Sequence, residues 1–236
     1  VSAPAPEVLD DAAALAERAA VRLAAWLEEA VTAHGRASLV LAGGETPIAT
    51  YRQLARRQLR WEAIDLFWGD ERCVPPDDPA SNYARTRDSL LVPAAVPLAR
   101  VHRIRGELGP RRAADDYERR LRRRFQGRRP RFDVVLLGVG EDGHTASLFA
   151  AEVDSASSRW VVATRSPLPP RDRVSLGFEA LRGAERTVFL VAGASKAATV
   201  GRLLGSPQVA LPAARVAREA RRPVWLLDRA AARLAS

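Results

Sequence analysis

A chain of 236 residues, 47% of them hydrophobic, holds enough material for one large α/β domain or two small ones, and its single cysteine, Cys73, excludes an internal disulfide framework. No apolar run approaches the ~20 residues of a membrane-spanning helix, and residues 1–6 lack the basic and apolar stretches of a signal peptide, so a cytoplasmic protein is expected. The formal charge of +9 is concentrated: residues 111–131 carry ten Arg against Asp115, Asp116 and Glu118, a surplus of +7 that leaves +2 for the rest.

In chain order, Ala-rich residues 8–33 place Leu15, Ala19, Leu23, Trp26, Leu27 and Ala30 on one face of a predicted helix. Residues 38–42 form a short apolar strand that runs into Gly43-Gly44-Glu45-Thr46-Pro47. Thr46 as N-cap and Pro47 at the first helical position predict a helix burying Ile48, Tyr51 and Leu54. A second strand, 64–68, ends at Gly69-Asp70-Glu71-Arg72, and a helix is expected to begin near Ser81 after a proline-rich loop. In the basic segment Ala113, Tyr117, Leu121 and Phe125 recur every four residues, which makes the arginines the solvated face of a helix. Both aromatics fall on the buried stripe, so no base-stacking platform, and no nucleic-acid partner, is expected.

Residues 134–137 read as a third strand, buried on both faces. It ends in Gly138, Gly140 and Gly143, with Glu141, Asp142 and His144 among or just after them. A fourth strand lies at 186–192 and a fifth at 224–227, with shorter β-like pieces at 160–163 and 174–178. Strand and helix alternate without repeats. The expected fold is therefore one doubly wound α/β domain over residues 1–236, Rossmann-like, with a mostly parallel sheet and helices on both faces.

Four polar clusters each follow a predicted strand directly: residues 43–46, 69–72, 138–144 and 193–196. In an open parallel sheet, ligands bind outside the carboxyl ends of the strands, so these clusters should share one rim. The last contains Lys196, the sole lysine beside 36 arginines. Lysine is a compact point charge and arginine a planar fork, so a site can require one and not the other.

Each cluster has a bland reading beside the functional one. Gly43-Gly44-Glu45-Thr46 is either a phosphate cradle of backbone N–H groups or a tight turn capped by Thr46. Asp70 and Arg72 either orient a sugar hydroxyl and grip an anion, or form a surface ion pair. Cys73 reads as a small buried apolar residue. Gly138 to Gly143 matches G-x-G-x-x-G, but Glu141 and Asp142 would repel a pyrophosphate. Thr164 and Arg165 also stand where a dinucleotide fold needs an acid, and the helical stretch after the glycines is short. His144, between Asp142 and Ser147, suits general acid–base work or a helix start, whereas His34 and His102 read as surface residues. No G-x-S-x-G elbow, Walker A loop or H-E-x-x-H helix occurs, and three dispersed histidines with one cysteine argue against zinc.

Taken in order, these residues resemble the 6-phosphogluconolactonase family, within the group that includes glucosamine-6-phosphate deaminases. Gly43-Gly44-Glu45-Thr46-Pro47 is similar to the family's Gly-Gly-x-Thr-Pro loop, and Trp68 to Pro75 with Ser81-Asn82-Tyr83 resembles its second motif. The segment from Gly138 to Ser147 resembles its most diagnostic one; Arg173-Val174-Ser175-Leu176 and Gly193-Ala194-Ser195-Lys196 complete the set. Ala42 and Glu45 stand where the family often has serine, and Ala150 where it often has proline. The group's deaminases follow the histidine with an apolar residue and Ala-Phe-Asn-Glu-Pro. Thr145-Ala146-Ser147-Leu148-Phe149 lacks that Glu, which favours the lactonase.

The resemblance implies hydrolysis of 6-phospho-D-glucono-1,5-lactone to 6-phospho-D-gluconate, in the oxidative branch of the pentose phosphate pathway. It implies His144 as acid–base, Asp70 orienting the sugar and Asp142 positioning the imidazole. Arg72, Arg173 and Lys196, with Gly43, Gly44 and Thr46, would hold the 6-phosphate and polarise the carbonyl. A monomer with no metal, cofactor or membrane partner is expected, its only partner a small sugar-phosphate lactone.

Overall fold

The computed structural model describes residues 5–152, 157–206 and 208–234; the first four residues of the stretch read for a leader fall outside them. The chain begins with β1 (Glu7–Leu9) and α1 (Ala12–His34). Asp11 starts α1 because its carboxylate accepts the N–H groups of Ala13 and Ala14, and Gly35 ends it in left-handed backbone at φ 73°. Next come β2 (Ala37–Leu41), α2 (Glu45–Ala55), β3 (Ile64–Trp68), β4 (Asp70–Arg72) and α3 (Asn82–Thr86). The middle of the chain supplies β5 (Val101–His102), α4 (Pro110–Arg124) and β6 (Val134–Leu137). The last part holds β7 (Val161–Arg165), β8 (Asp172–Leu176), α5 (Phe178–Leu181), β9 (Arg186–Val191), α6 (Ala197–Gly205), α7 (Pro212–Glu219), β10 (Pro223–Asp228) and α8 (Arg229–Ala232).

Seven strands make one parallel sheet in the order β1-β10-β9-β6-β2-β3-β5. Every residue of β2, β3 and β6 is buried, which is why they read as unbroken apolar runs rather than alternating ones. From β2 the chain steps outward to β3 and β5, then returns to lay β6 on the other side of β2. It then steps the opposite way, to β9 and β10. The direction reverses between β2 and β6, and the loops leaving these two strands diverge to open a crevice.

A second, antiparallel sheet, β4-β8-β7, stands beside the first. The join is Gly69, between β3 and β4: its N–H donates to Leu41 of β2 (2.9 Å), and its carbonyl accepts from Leu176 of β8 (2.7 Å). Helix α4 packs on β7 and β8. It buries Ala113, Tyr117 and Leu121, and the Tyr117 hydroxyl bonds both backbone groups of Trp68. The basic helix thus braces the strand that carries the next cluster.

Several expectations need correction. The small sheet was read only as loose β pieces, and β1 and β5 were missed; the first was absorbed into the helix at 8–33. They are three and two residues long, too short for a periodic signal. The last residue of the 174–178 piece, Phe178, begins α5 instead. Thr46 does not cap α2: the helix starts at Glu45 with Gly44 as N-cap at φ 103°, a conformation that favours glycine. Trp26 is half-buried, beneath the guanidiniums of Arg22 and Arg186. No α-helix lies between Gly143 and Glu152, only turns and a 3₁₀ segment at Ala150–Glu152.

Candidate active site

The four polar clusters do meet. They surround a cavity of about 550 Å³ at the carboxyl ends of the strands, and Gly43, Gly44, Thr46, Asp70, Arg72, His144, Arg173 and Lys196 all line it. Asp142 does not line the cavity and stands behind the imidazole.

The loop after β6 folds on itself. Gly140 N–H donates to the His144 carbonyl (2.8 Å) and Thr145 Oγ1 donates to the Gly138 carbonyl (2.8 Å). Two helices pin it from outside: Thr199 of α6 donates to the Glu141 carbonyl, and Ala213 N–H of α7 donates to that of Gly143 (3.1 Å). Gly140 is required by close approach, since a Cβ there would lie 2.0 Å from His144 Nδ1 and 2.5 Å from Asp142 Oδ1. His144 Nδ1 is 2.5 Å from Asp142 Oδ1, which also accepts the His144 backbone N–H at 3.1 Å. Burial alone would raise the Asp142 pKa; the His144 N–H, its charge and the ring bond outweigh it and hold the carboxyl below its ordinary value. A carboxylate on Nδ1 fixes the tautomer that leaves Nε2 free to accept a proton.

Arg72 and Arg173 are cross-strand partners on β4 and β8. Each guanidinium is anchored by a backbone carbonyl, Arg72 by Ala80 (2.5 Å) and Arg173 by Pro170 (2.7 Å). Neither has an ion-pair partner among the described residues, and Arg72 Nε is buried without a hydrogen bond. The nearby carboxylates are committed elsewhere. Asp70 accepts from Ser147 Oγ (2.6 Å) and Asn82 Nδ2 (3.2 Å), and Glu71 accepts the N–H groups of Arg72, Asn82 and Tyr83. Burial first, and the charge of Arg72 second, push the Arg173 pKa down. An incoming anion would relieve the second of these strains. The surface ion pair entertained for Asp70 and Arg72 is therefore wrong: Asp70 is buried and the two do not pair.

Lys196 sits on a turn opened by Gly193 at φ 96°, whose N–H donates to both oxygens of buried Asp228 (3.1 and 3.0 Å). Its Nζ is 3.9 Å from exposed Glu141. At the end of β2 the Tyr51 hydroxyl, kept neutral by burial, accepts from Ala42 N–H and donates to its carbonyl (both 2.8 Å). Asn82 packs against Gly43, where a Cβ would lie 2.2 Å from its Oδ1. Asn82, Ser147, Tyr51 and Asp228 were not assigned from sequence. The first two lay within motifs that were seen; the others act through contacts that only the fold reveals. Cys73 is half-buried, and burial pushes its thiol up to about 11, which unsuits it as a nucleophile.

An α/β sheet whose switch-point crevice joins a carboxylate-backed imidazole to three cations defines an enzyme for small anionic molecules. The chain belongs to the glucosamine-6-phosphate isomerase/6-phosphogluconolactonase family, whose model matches residues 10–225. The 6-phosphogluconolactonase of Synechocystis is 37% identical over 97% of both chains, and that of Mycobacterium leprae 38% identical over 96% of both. The solved 6-phosphogluconolactonase of Shewanella baltica superposes with a TM-score of 0.85 at 30% identity, covering 97% of each chain.

Proposed function

We propose that this chain, acting over residues 1–236 as one unit, hydrolyses 6-phospho-D-glucono-1,5-lactone to 6-phospho-D-gluconate. The observation that carries the reading is His144, backed by Asp142 and facing a cavity whose guanidiniums have no carboxylate partners among the described residues. His144 Nε2 takes a proton from a water whose oxygen attacks C1. The tetrahedral intermediate collapses, the bond from C1 to the ring oxygen breaks, and the imidazolium returns the proton to that oxygen. General acid–base help of this kind contributes about 10²–10⁴-fold.

Arg72, Arg173 and Lys196, with the backbone around Gly43, Gly44 and Thr46, divide two tasks: holding the 6-phosphate and stabilising the developing oxyanion. A donor aimed at that oxyanion is worth about 3–4 kcal/mol. Asp70, held by Ser147 and Asn82, retains lone pairs for sugar hydroxyls. The chemistry asks for no metal, because a lactone carbonyl is already electrophilic.

The rival chemistry in this family is deamination of glucosamine 6-phosphate. Residues 145–149, directly after His144, offer it no carboxylate, and the Ser147 hydroxyl is committed to Asp70. The deciding assay gives the purified protein both substrates. Lactone opening above the spontaneous rate, without ammonia release, is expected; ammonia release without lactone opening would contradict the assignment.

A further inference from the structure

Part of the Arg-rich segment has no place in the proposed reaction. Its end leaves the solvated face of α4: Arg124, Arg128, Arg129 and Arg131 line a second cavity, of about 750 Å³, at the amino ends of the strands. This is the rim opposite the catalytic one. Arg36, Arg186 and Arg222 enter it beside the starts of β2, β9 and β10, so seven guanidiniums meet three carboxylates, Glu29, Asp133 and Glu185.

Those carboxylates are already shared out. Asp133 accepts the N–H and hydroxyl of Ser38 (2.8 and 2.7 Å), and Glu29 pairs with Arg186 (2.9 Å). Glu185 serves Arg131, Arg221 and Arg222 together, at 2.9, 3.0 and 3.4 Å. Arg124 and Arg129 find Asp65 and Glu179 outside the lining. Arg36 and Arg128 have no ion-pair partner among the described residues. A concave surface with a surplus of one sign concentrates its field on counter-ions. Phe125, expected to close the buried stripe of α4, is instead half-buried and lines this cleft.

We infer that the cleft is a second anion site, taking a compact triphosphate group, with Arg36 and Arg128 making contacts that the protein's own carboxylates leave open. A triphosphate, unlike a single phosphate, can reach guanidiniums from more than one segment of the chain, and Arg forks suit phosphate oxygens. Two sources carry this chemistry, a nucleoside triphosphate and an inorganic polyphosphate. Only the first has a base to set against Phe125.

The test is calorimetric titration of the whole protein with tripolyphosphate and, separately, ATP. Wild type should bind tripolyphosphate, Arg36→Ala/Arg128→Ala should bind about tenfold more weakly, and lactone turnover should be unchanged in that variant. Arg111→Ala/Arg119→Ala removes the same charge from the exposed outer face of α4 and should shift affinity less than about twofold. ATP binding more tightly than tripolyphosphate would support the site and assign a nucleotide; equal affinity would support it and assign the inorganic chain. The inference is overturned if tripolyphosphate fails to bind, if both double variants weaken it equally, or if neither does. Binding of single-stranded oligonucleotide alone would also overturn it, in favour of nucleic acid.

Discussion

Two histidine–aspartate pairs in this molecule have similar contacts and different surroundings. His144 Nδ1 lies 2.5 Å from Asp142, and His102 Nε2 lies 2.8 Å from Asp65. Asp142 is half exposed, and among the described residues it pairs with His144 alone. Asp65 is 2% exposed and is also held by Arg124 (2.5 Å) and Arg100 (3.6 Å), while the His102 ring is stacked on Phe67 with centroids 4.6 Å apart. A carboxylate saturated by cations and a ring clamped on an aromatic make a brace. A carboxylate committed to one ring, whose far nitrogen is left free beside a cavity, suits the acid–base role proposed for His144. Contact distance does not separate the two; the remaining partners do.

The sharpest way to break this comparison is to remove each ring. His144→Gln should lower lactone turnover by about 10²–10⁴-fold with little change in Tm, whereas His102→Gln should keep turnover and lose stability. Equal effects on rate would erase the distinction. Gly140→Ala tests placement rather than chemistry: the added methyl displaces the ring, and misplacement of about 1 Å should cost about 10²-fold in kcat. Full activity would show that His144 need not lie against the Gly140 backbone.

A smaller effect is expected of Lys196→Arg, which keeps the charge and loses the compact shape; KM should rise about tenfold. An unchanged KM would mean that the lone lysine survives by chance. Like His102→Gln, Asp65→Asn should leave the rate unchanged, and it should cost about 3 kcal/mol of stability, the low end for breaking a buried pair. Burial raises the Asp65 pKa, but the bonds and charges of His102 and Arg124 overcome it and hold it at about 2, below the ordinary 3.8. Its contribution is therefore complete above pH 3.8 and disappears as pH falls through about 2. Wild type should lose its stability advantage over Asp65→Asn across that window, read by denaturant melts at stepped pH.

The rim that gathers the four polar clusters was legible because buried parallel strands announce themselves. The runs 64–68 and 134–137 match β3 and β6 to the residue, and in a parallel sheet their ends must share an edge. The glycines, His144 and Lys196 then followed from position. What stayed hidden depends on partners distant in sequence. Asp65 is 37 residues from His102, so the ring looked like an isolated surface residue. The antiparallel sheet needs β8 to pair with β4, far away in sequence, as well as with β7, and no periodicity displays that pairing. Gly44 took the capping role expected of Thr46 because the turn bends at positive φ, a property of backbone rather than side-chain chemistry.

The most direct measurement is a structure of the protein with 6-phosphogluconate bound. The phosphate should lie against cations from among Arg72, Arg173 and Lys196, with the C1 carboxylate about 3 Å from His144 Nε2. A sugar bound with C1 directed away from His144, or seated outside this cavity, would contradict the account.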